Sequence, residues 1–298
     1  RDQPRSRGLG DVYKRQIPRS PEKCIPRIDM AGTLYVVGTP IGNLKDITYR
    51  AVETLSSVDV IACEDTRVSL KLLSYYNVKK PLISYYKQKE REGSEKIISL
   101  LSDGKNVALI TDAGMPCVSD PGAILVSECR RAGLKVEIVP GASAVVSAVA
   151  LSGITSRGFT FLGFLPEKRK DKEELVKDFK FSSEPVVFYV SPHEINDDAK
   201  FLYESFGERQ VFVVHELTKM FESVEEQNLS SFSIPSPKGE YVLIVMPSTG
   251  GNALNDLSIA DHVRHYMQSG MTKKDAIKRT ASDRNVDKNT VYSEVLDL

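Results

Sequence analysis

Four short segments concentrate residue types that hold small charged molecules, and each follows an apolar run that reads as a strand. Gly38-Thr39-Pro40-Ile41-Gly42-Asn43 places two glycines and a proline in a turn where a ligand can approach bare backbone. Its spacing is neither the dinucleotide fingerprint nor a phosphate loop, and on its own a plain strand-to-helix turn is the favoured reading. The segment Asp112 to Gly122 (DAGMPCVSDPG) is long for such a connection, where about 2–6 residues are usual. Asp112, Ala113 and Gly114 offer a carboxylate and open backbone just past a buried strand, whereas Asp120-Pro121 suits a helix N-cap with a first-turn proline. Pro140-Gly141-Ala142-Ser143-Ala144 allows either tight helix–sheet packing or close contact with a ligand. Glu64-Asp65-Thr66-Arg67 reads as a self-satisfied salt bridge or as the wall of a polar cleft.

The elements that must carry these segments alternate. Apolar runs at Leu34–Gly38, Val58–Cys63, Leu82–Tyr86, Val107–Thr111 and Val136–Val139 are separated by amphipathic stretches at Thr48–Leu55, Ser69–Tyr76, Glu95–Leu101 and Ala123–Ala132. This pattern predicts a mostly parallel sheet covered by helices, whose ligands bind beyond the carboxyl ends of the strands. After the small-residue helix Ala142–Leu151 the texture becomes more aromatic. Strands at Phe159–Phe164, Val186–Val190, Gln210–Val214 and Tyr241–Val245, with helices over Lys168–Phe181 and Glu194–Phe206, predict a second α/β domain with a mixed sheet. Polar Ser/Glu segments lead into the last of these strands. Pro247–Asn252 reads as a linker, followed by helices at Ile259–Met267, Lys273–Ala281 and Lys288–Leu296. The expected organisation is therefore a leader over 1–29, domains over 30–153 and 154–248, and a small helical C-terminal extension over 252–298.

Composition narrows the function classes. The 298 residues are 41% hydrophobic and 27% charged, which excludes wholesale disorder and a disulfide scaffold. No run approaches the roughly 18 apolar residues of a membrane span. The chain is neutral, but residues 1–29 hold eight basic and four acidic residues, leaving 32 basic and 36 acidic in the remainder, a net −4. That first segment has neither the apolar core of a secretory leader nor the acid-poor character of an organelle-targeting peptide. Its run Asp11–Gln16 looks like a translated adapter, so it reads as a non-native or disordered leader before a start at Met30. The cysteines and the four histidines form no metal motif; small thiols in a reducing cytosol are the expectation.

Taken together and in order, GTLYVVGTPIGNL (32–44), EDTR (64–67), DAGMPCVSDPG (112–122), PGASA (140–144), SGI (152–154), GFLPEK (163–168), FYVSPHE (188–194), HELTK (215–219) and KGEYVLIV (238–245) resemble the tetrapyrrole-methylase superfamily. The closer resemblance is to the branch that methylates a cytidine 2′-hydroxyl of small-subunit ribosomal RNA, whose terminal extension TKKDAIKRTA…VYSEV resembles. The resemblance implies S-adenosylmethionine (AdoMet) held between two α/β domains, a cytoplasmic homodimer, and small-subunit RNA or the assembled subunit as partner. It would place Pro40, Asp112, Ala113, Gly114, Met115 and Ser119 beside the methionine and ribose of the cofactor. Pro140, Ala142 and Ser143 would close the floor, and the regions of Ser191-Pro192 and Glu216-Leu217-Thr218 would cover the adenine. Three positions depart from the family: Met115 stands for a usual Thr, His215 for a usual Arg, and Ser84–Lys89 for a stretch rich in His and Asn.

A ribose hydroxyl is a poor nucleophile and needs help to shed its proton. Glu64, Arg67, Glu216 and Lys219 are the candidates for that work, with ion pairing as the alternative for each. For the RNA, Lys168, Arg169, Lys170 and Lys172 form a cluster suited to phosphates, though interleaved acids also allow a solvated mixed-charge helix; Lys273 and Lys274 offer a second patch. A small-molecule or diphthine-type methylase and a non-catalytic ribosome-binding module are the competing readings.

Overall fold

A computed structural model of the chain describes residues 31–247, 253–284 and 286–296; the expected leader, Met30 and most of the linker lie outside the described residues. Five strands, β1 (Thr33–Val37), β2 (Val60–Cys63), β3 (Leu82–Ser84), β4 (Val107–Leu109) and β5 (Lys135–Val139), form a parallel sheet in the order β3-β2-β4-β1-β5. Helices α1 (Tyr49–Ser57), α2 (Thr66–Tyr75), α3 (Glu90–Ser102), α4 (Ala123–Arg131) and α5 (Ala144–Leu151) connect or follow them. The inner strands β2, β4 and β1 are buried and mostly apolar because helices cover both faces, whereas the edge strands β3 and β5 are more exposed. Ile61 and Cys63 join Val37, Leu55, Leu73 and Ile110 on one side, while Val60 and Ala62 join Leu34, Ile97, Leu101 and Leu125 on the other.

The second sheet has the order β6-β7-β10-β8-β9, from β6 (Thr160–Phe164), β7 (Val186–Val190), β8 (Gln210–His215), β9 (Ser223–Asn228) and β10 (Tyr241–Val245). Only β6 and β7 pair in parallel; the other pairs are antiparallel. Central β10 is buried along its whole length. One face packs on α7 (Ile195–Phe206) through Phe188, Leu202, Phe206 and Leu243. The opposite face presents Val187, Val214, Val242 and Ile244 to Ile41, Val145 and Ala148, so the two sheets share an apolar seam. Helix α6 (Arg169–Val176) follows β6, and α8 (Ile259–Gln268), α9 (Lys273–Arg284) and α10 (Lys288–Glu294) close their own small core on Val263, Ile277 and Val291. None of the described helices is long and apolar enough to cross a membrane.

Three local expectations need correction. Strand β9 falls in the polar segment read as a connection. It pairs in register from Gln210↔Asn228 to His215↔Ser223 at a sheet edge, where an exposed strand shows no apolar alternation. The helix expected to Phe181 ends at Val176 and continues only as a 3-10 turn over Lys177–Phe179. Asp120 does not cap α4: the helix starts at Ala123 with Gly122 at the cap position. Gly122 has φ +131°, and a Cβ there would lie 2.7 Å from Leu109 and 2.8 Å from Cys117 Sγ, so Asp120 points elsewhere.

Candidate functional site

The sheet order makes β4, β1 and β5 consecutive neighbours, so the turns that leave them sit side by side. They are knitted together by backbone. Gly38 N–H donates to Val139 O (3.0 Å) and Thr39 N–H to Gly114 O (2.9 Å). The buried Thr39 hydroxyl bonds the carbonyls of Thr111 and Gly114. Gly38 and Gly141 touch so closely that a Cβ on the first would lie 2.7 Å from Gly141 N, and one on the second 2.9 Å from Gly38 Cα. Asp65 N–H donates to Asp112 Oδ1 (3.2 Å), which brings the β2 turn to the same edge.

Beyond these tips lies a mostly apolar cleft of about 270 Å³. Asp112, Ala113, Gly114, Met115, Ser119 and Ser143 line it from the first sheet, and Leu217 from the second. Pro40, Pro140, Ala142 and Ser191 are not in the wall but flank residues that are or that brace it. Ile41 and Pro192 line the cleft, as do Asp120, Phe164, Tyr189, Glu240 and Tyr241, which sequence reasoning did not select. For Asp120 the capping pattern masked the signal, and the aromatics read as core. A bulge in β6 brings Gly163 (φ +69°) so near that its Cβ would lie 2.8 Å from Ser119 Oγ. Tyr189 Oη accepts a hydrogen bond from Val145 N–H (3.2 Å) and ties the sheets together behind the cleft.

The cleft is acidic. Asp112, Asp120 and Glu240 line it, and no Lys, Arg or His does among the described residues. Burial, with the charge of Asp112 adding to it, pushes the Asp120 carboxyl up to about 6. Burial, then Asp112 and Asp120, also raises the Glu64 carboxyl, which does not itself line the cleft.

Residues 33–233 match the family of tetrapyrrole (corrin/porphyrin) methylases. The chain belongs to that family. Within it, the chain is 40% identical over 271 residues to the ribosomal RNA small subunit methyltransferase I of Bacillus subtilis strain 168, covering 88% of this chain and 93% of that protein. The protein of the same name from Thermotoga maritima is 44% identical over 218 residues, 72% of this chain and 98% of the relative. Among solved structures, a diphthine synthase aligns with TM-score 0.60 at 18% identity, over 73% of this chain and 91% of the other. The methyltransferase CobJ aligns with TM-score 0.58 at 16% identity, over 73% and 95%. These two show the shared fold. AdoMet is the methyl donor of this methylase. The cleft suits it: Asp112 and Asp120 offer negative charge to a cation, Glu240 being already paired with Lys219, and the mostly apolar walls fit an adenosine.

The candidate catalytic residues of this methylase fall into different settings. Arg67 is 87% exposed and turns back on Asp65, Nη2 to Oδ2 2.7 Å and Nε to Oδ1 3.1 Å. Asp65 meanwhile caps α2 by accepting from Arg67 N–H, and these bonds hold its carboxyl down to about 2. Glu216 and Lys219 are joined Oε1 to Nζ at 2.8 Å, and Lys219 also reaches Glu240 at 2.8 Å. Burial works to raise Glu216, but the bonds from Lys219 and from Glu240 N–H outweigh it and leave the carboxyl below its usual range. Neither partner is set to accept a proton. The cluster holds the Glu216–Thr218 turn, with φ +50° and +64° at its ends, and lays the Lys219 stem against Gly42.

The basic candidates also separate. Lys168, Arg169 and Lys170 are exposed, with Arg169 bonded to Glu173 and Glu204. Lys172 turns inward onto buried Asp198 at 2.5 Å, so it is not part of the exposed cluster. Lys274 is exposed and Lys273 half-buried at the start of α9.

A brace outside the cleft governs the long loop. Glu90 Oε1 accepts from Gly122 N–H at 2.8 Å, and buried Tyr85, bonded to Ser94 Oγ at 3.2 Å, packs behind it. Glu90→Ala removes the acceptor and is expected to weaken AdoMet about tenfold by loosening residues 112–122, with a stability loss of only about 1 kcal/mol; calorimetric titration and thermal melting measure the two.

Proposed function

We propose that this chain transfers a methyl group from AdoMet to a cytidine ribose 2′-hydroxyl of small-subunit ribosomal RNA. The observation that carries this reading is near full-length similarity to proteins named for small-subunit ribosomal RNA methylation, together with an acidic cleft at the tips of the parallel sheet. Bound AdoMet supplies an electrophilic methyl carbon and a neutral thioether as leaving group. The protein's share is then positioning and electrostatics.

In this reading Asp112, Ala113, Gly114 and Met115 hold the methionine end through a carboxylate and open backbone, and Leu217 with Ser143 closes the cleft around the adenosine. Glu64, whose carboxyl is raised and carries no salt bridge among the described residues, takes the hydroxyl proton as the new C–O bond forms. Lys168, Arg169, Lys170 and Lys274 provide phosphate contacts; with a chain of no net positive charge, such local contacts set the salt dependence of RNA binding.

Mass spectrometry of nuclease-digested small-subunit RNA, incubated with the protein and AdoMet, tests the assignment. A 2′-O-methylcytidine appearing only with active protein supports it. Methyl label confined to a porphyrinoid or a protein acceptor overturns the substrate, and absence of AdoMet binding at millimolar concentration overturns catalysis. Asp112→Ala is expected to abolish methyl transfer while moving the thermal transition little, because the carboxylate is exposed and accepts a single backbone bond.

A further inference from the structure

The methyl donor and the product left after transfer differ by one methyl group and one positive charge. A cleft that recognises only shape and hydrogen bonds holds both almost equally, and the product then inhibits. Charge is the feature able to separate them, and three carboxylates line this cleft. Glu240 is occupied by Lys219 at 2.8 Å. Asp112 is exposed and accepts the Asp65 N–H. Asp120, on the long loop, is half-buried in the wall of a cleft that the second sheet also lines, and no salt bridge reaches it among the described residues.

We propose that Asp120 is the countercharge to the cofactor's sulfonium and the residue by which the cleft prefers AdoMet to S-adenosylhomocysteine. The inference rests on the cofactor alone and holds whichever hydroxyl is methylated. The titratable groups coupled to Asp120 are Asp112 and Cys117 on its own loop, Glu64 from the β2 turn and Tyr189 from β7; ionisation of any of them disfavours a further negative charge. The Thr111 hydroxyl tempers this without cancelling it. Asp120 therefore keeps its proton up to about pH 6 in the ligand-free protein. A cation arriving in the cleft reverses the balance and expels that proton; a neutral sulfur does not.

The sign follows from linkage. A proton lost on binding makes affinity fall as pH falls below the ligand-free pKa, approaching about tenfold per pH unit. Titration calorimetry of the full chain with AdoMet and with S-adenosylhomocysteine, in two buffers of different ionisation enthalpy at about pH 5.5, reads the proton directly. The expected result is release of about three-quarters of a proton with AdoMet, the fraction that Asp120 holds at that pH, and none with S-adenosylhomocysteine. The preference for AdoMet should shrink about tenfold between about pH 7.5 and about pH 5. Asp120→Asn should erase both the proton release and the pH dependence while leaving S-adenosylhomocysteine affinity within about twofold. The wild-type comparison stands even where the variant folds poorly. Equal proton release with both ligands, or release that survives Asp120→Asn and disappears in Asp112→Asn, overturns the assignment.

Discussion

Gly38→Ala is expected to eliminate AdoMet binding, with affinity reduced more than about a hundredfold, and to cost about 2–3 kcal/mol of stability. The added methyl has nowhere to go. It would sit 2.6 Å from Met115 Sδ and 2.7 Å and 2.8 Å from the nitrogen and Cα of Gly141. Met115 is flexible and could yield, but the Gly141 backbone belongs to the β5 tip, and its retreat separates the two turns that floor the cleft. The Gly38 N–H bond to Val139 O is lost with the same movement. Calorimetry and chemical denaturation check the two numbers. Near-normal AdoMet affinity in a folded Gly38→Ala protein would show that the close approach of the tips is incidental to the site.

Lys172→Ala is expected to be the most destabilising single change among the basic residues of α6, by about 3–5 kcal/mol. Lys172 and Asp198 are 14% and 3% exposed as side chains and lie 2.5 Å apart. Burial dominates the Asp198 carboxyl and raises it even with Lys172 beside it, so removal of the lysine leaves an acid that must either stay charged without a partner or take up a proton. Lys172→Met with Asp198→Leu should recover most of the loss, since an apolar pair of similar volume replaces a buried ion pair at little cost. Lys170→Ala, on the exposed side of the same helix, should leave the melting temperature unchanged and weaken RNA binding at low salt. Chemical denaturation and filter binding separate the two effects. A stable Lys172→Ala protein with a steeper loss of RNA affinity than Lys170→Ala would return Lys172 to the phosphate-binding group.

The alternation of apolar runs and amphipathic stretches was sufficient to give the parallel sheet, its covering helices, the mixed second sheet and the three terminal helices, because hydrophobic periodicity is a local property. Strand β9 escaped it: Ser223–Asn228 draws its place from pairing with β8 rather than from a buried face of its own. The four turns stood out in the sequence, and Asp112–Met115, Val118 and Ser119 do line the cleft, whereas no residue of the Glu64–Arg67 turn does. Asp120 was not legible, since an Asp-Pro pair before a helix has a capping pattern and only the positive φ of Gly122 shows the cap to be elsewhere. Nor did spacing distinguish Lys172 from Lys170, two residues apart on one charged helix, one buried and one in solvent.

By itself, then, the sequence determined most of the strands and helices, β9 excepted, and which turns carry carboxylates and bare backbone, since both depend on neighbours within a few residues. Tertiary structure alone decided that β4, β1 and β5 lie side by side, that Gly38 and Gly141 meet, and that Asp120 is left without a cation among the described residues. Those outcomes depend on strand order and on the packing of one sheet against another. Charge and burial there are set by residues about a hundred positions apart in the chain, a range over which periodicity carries no information.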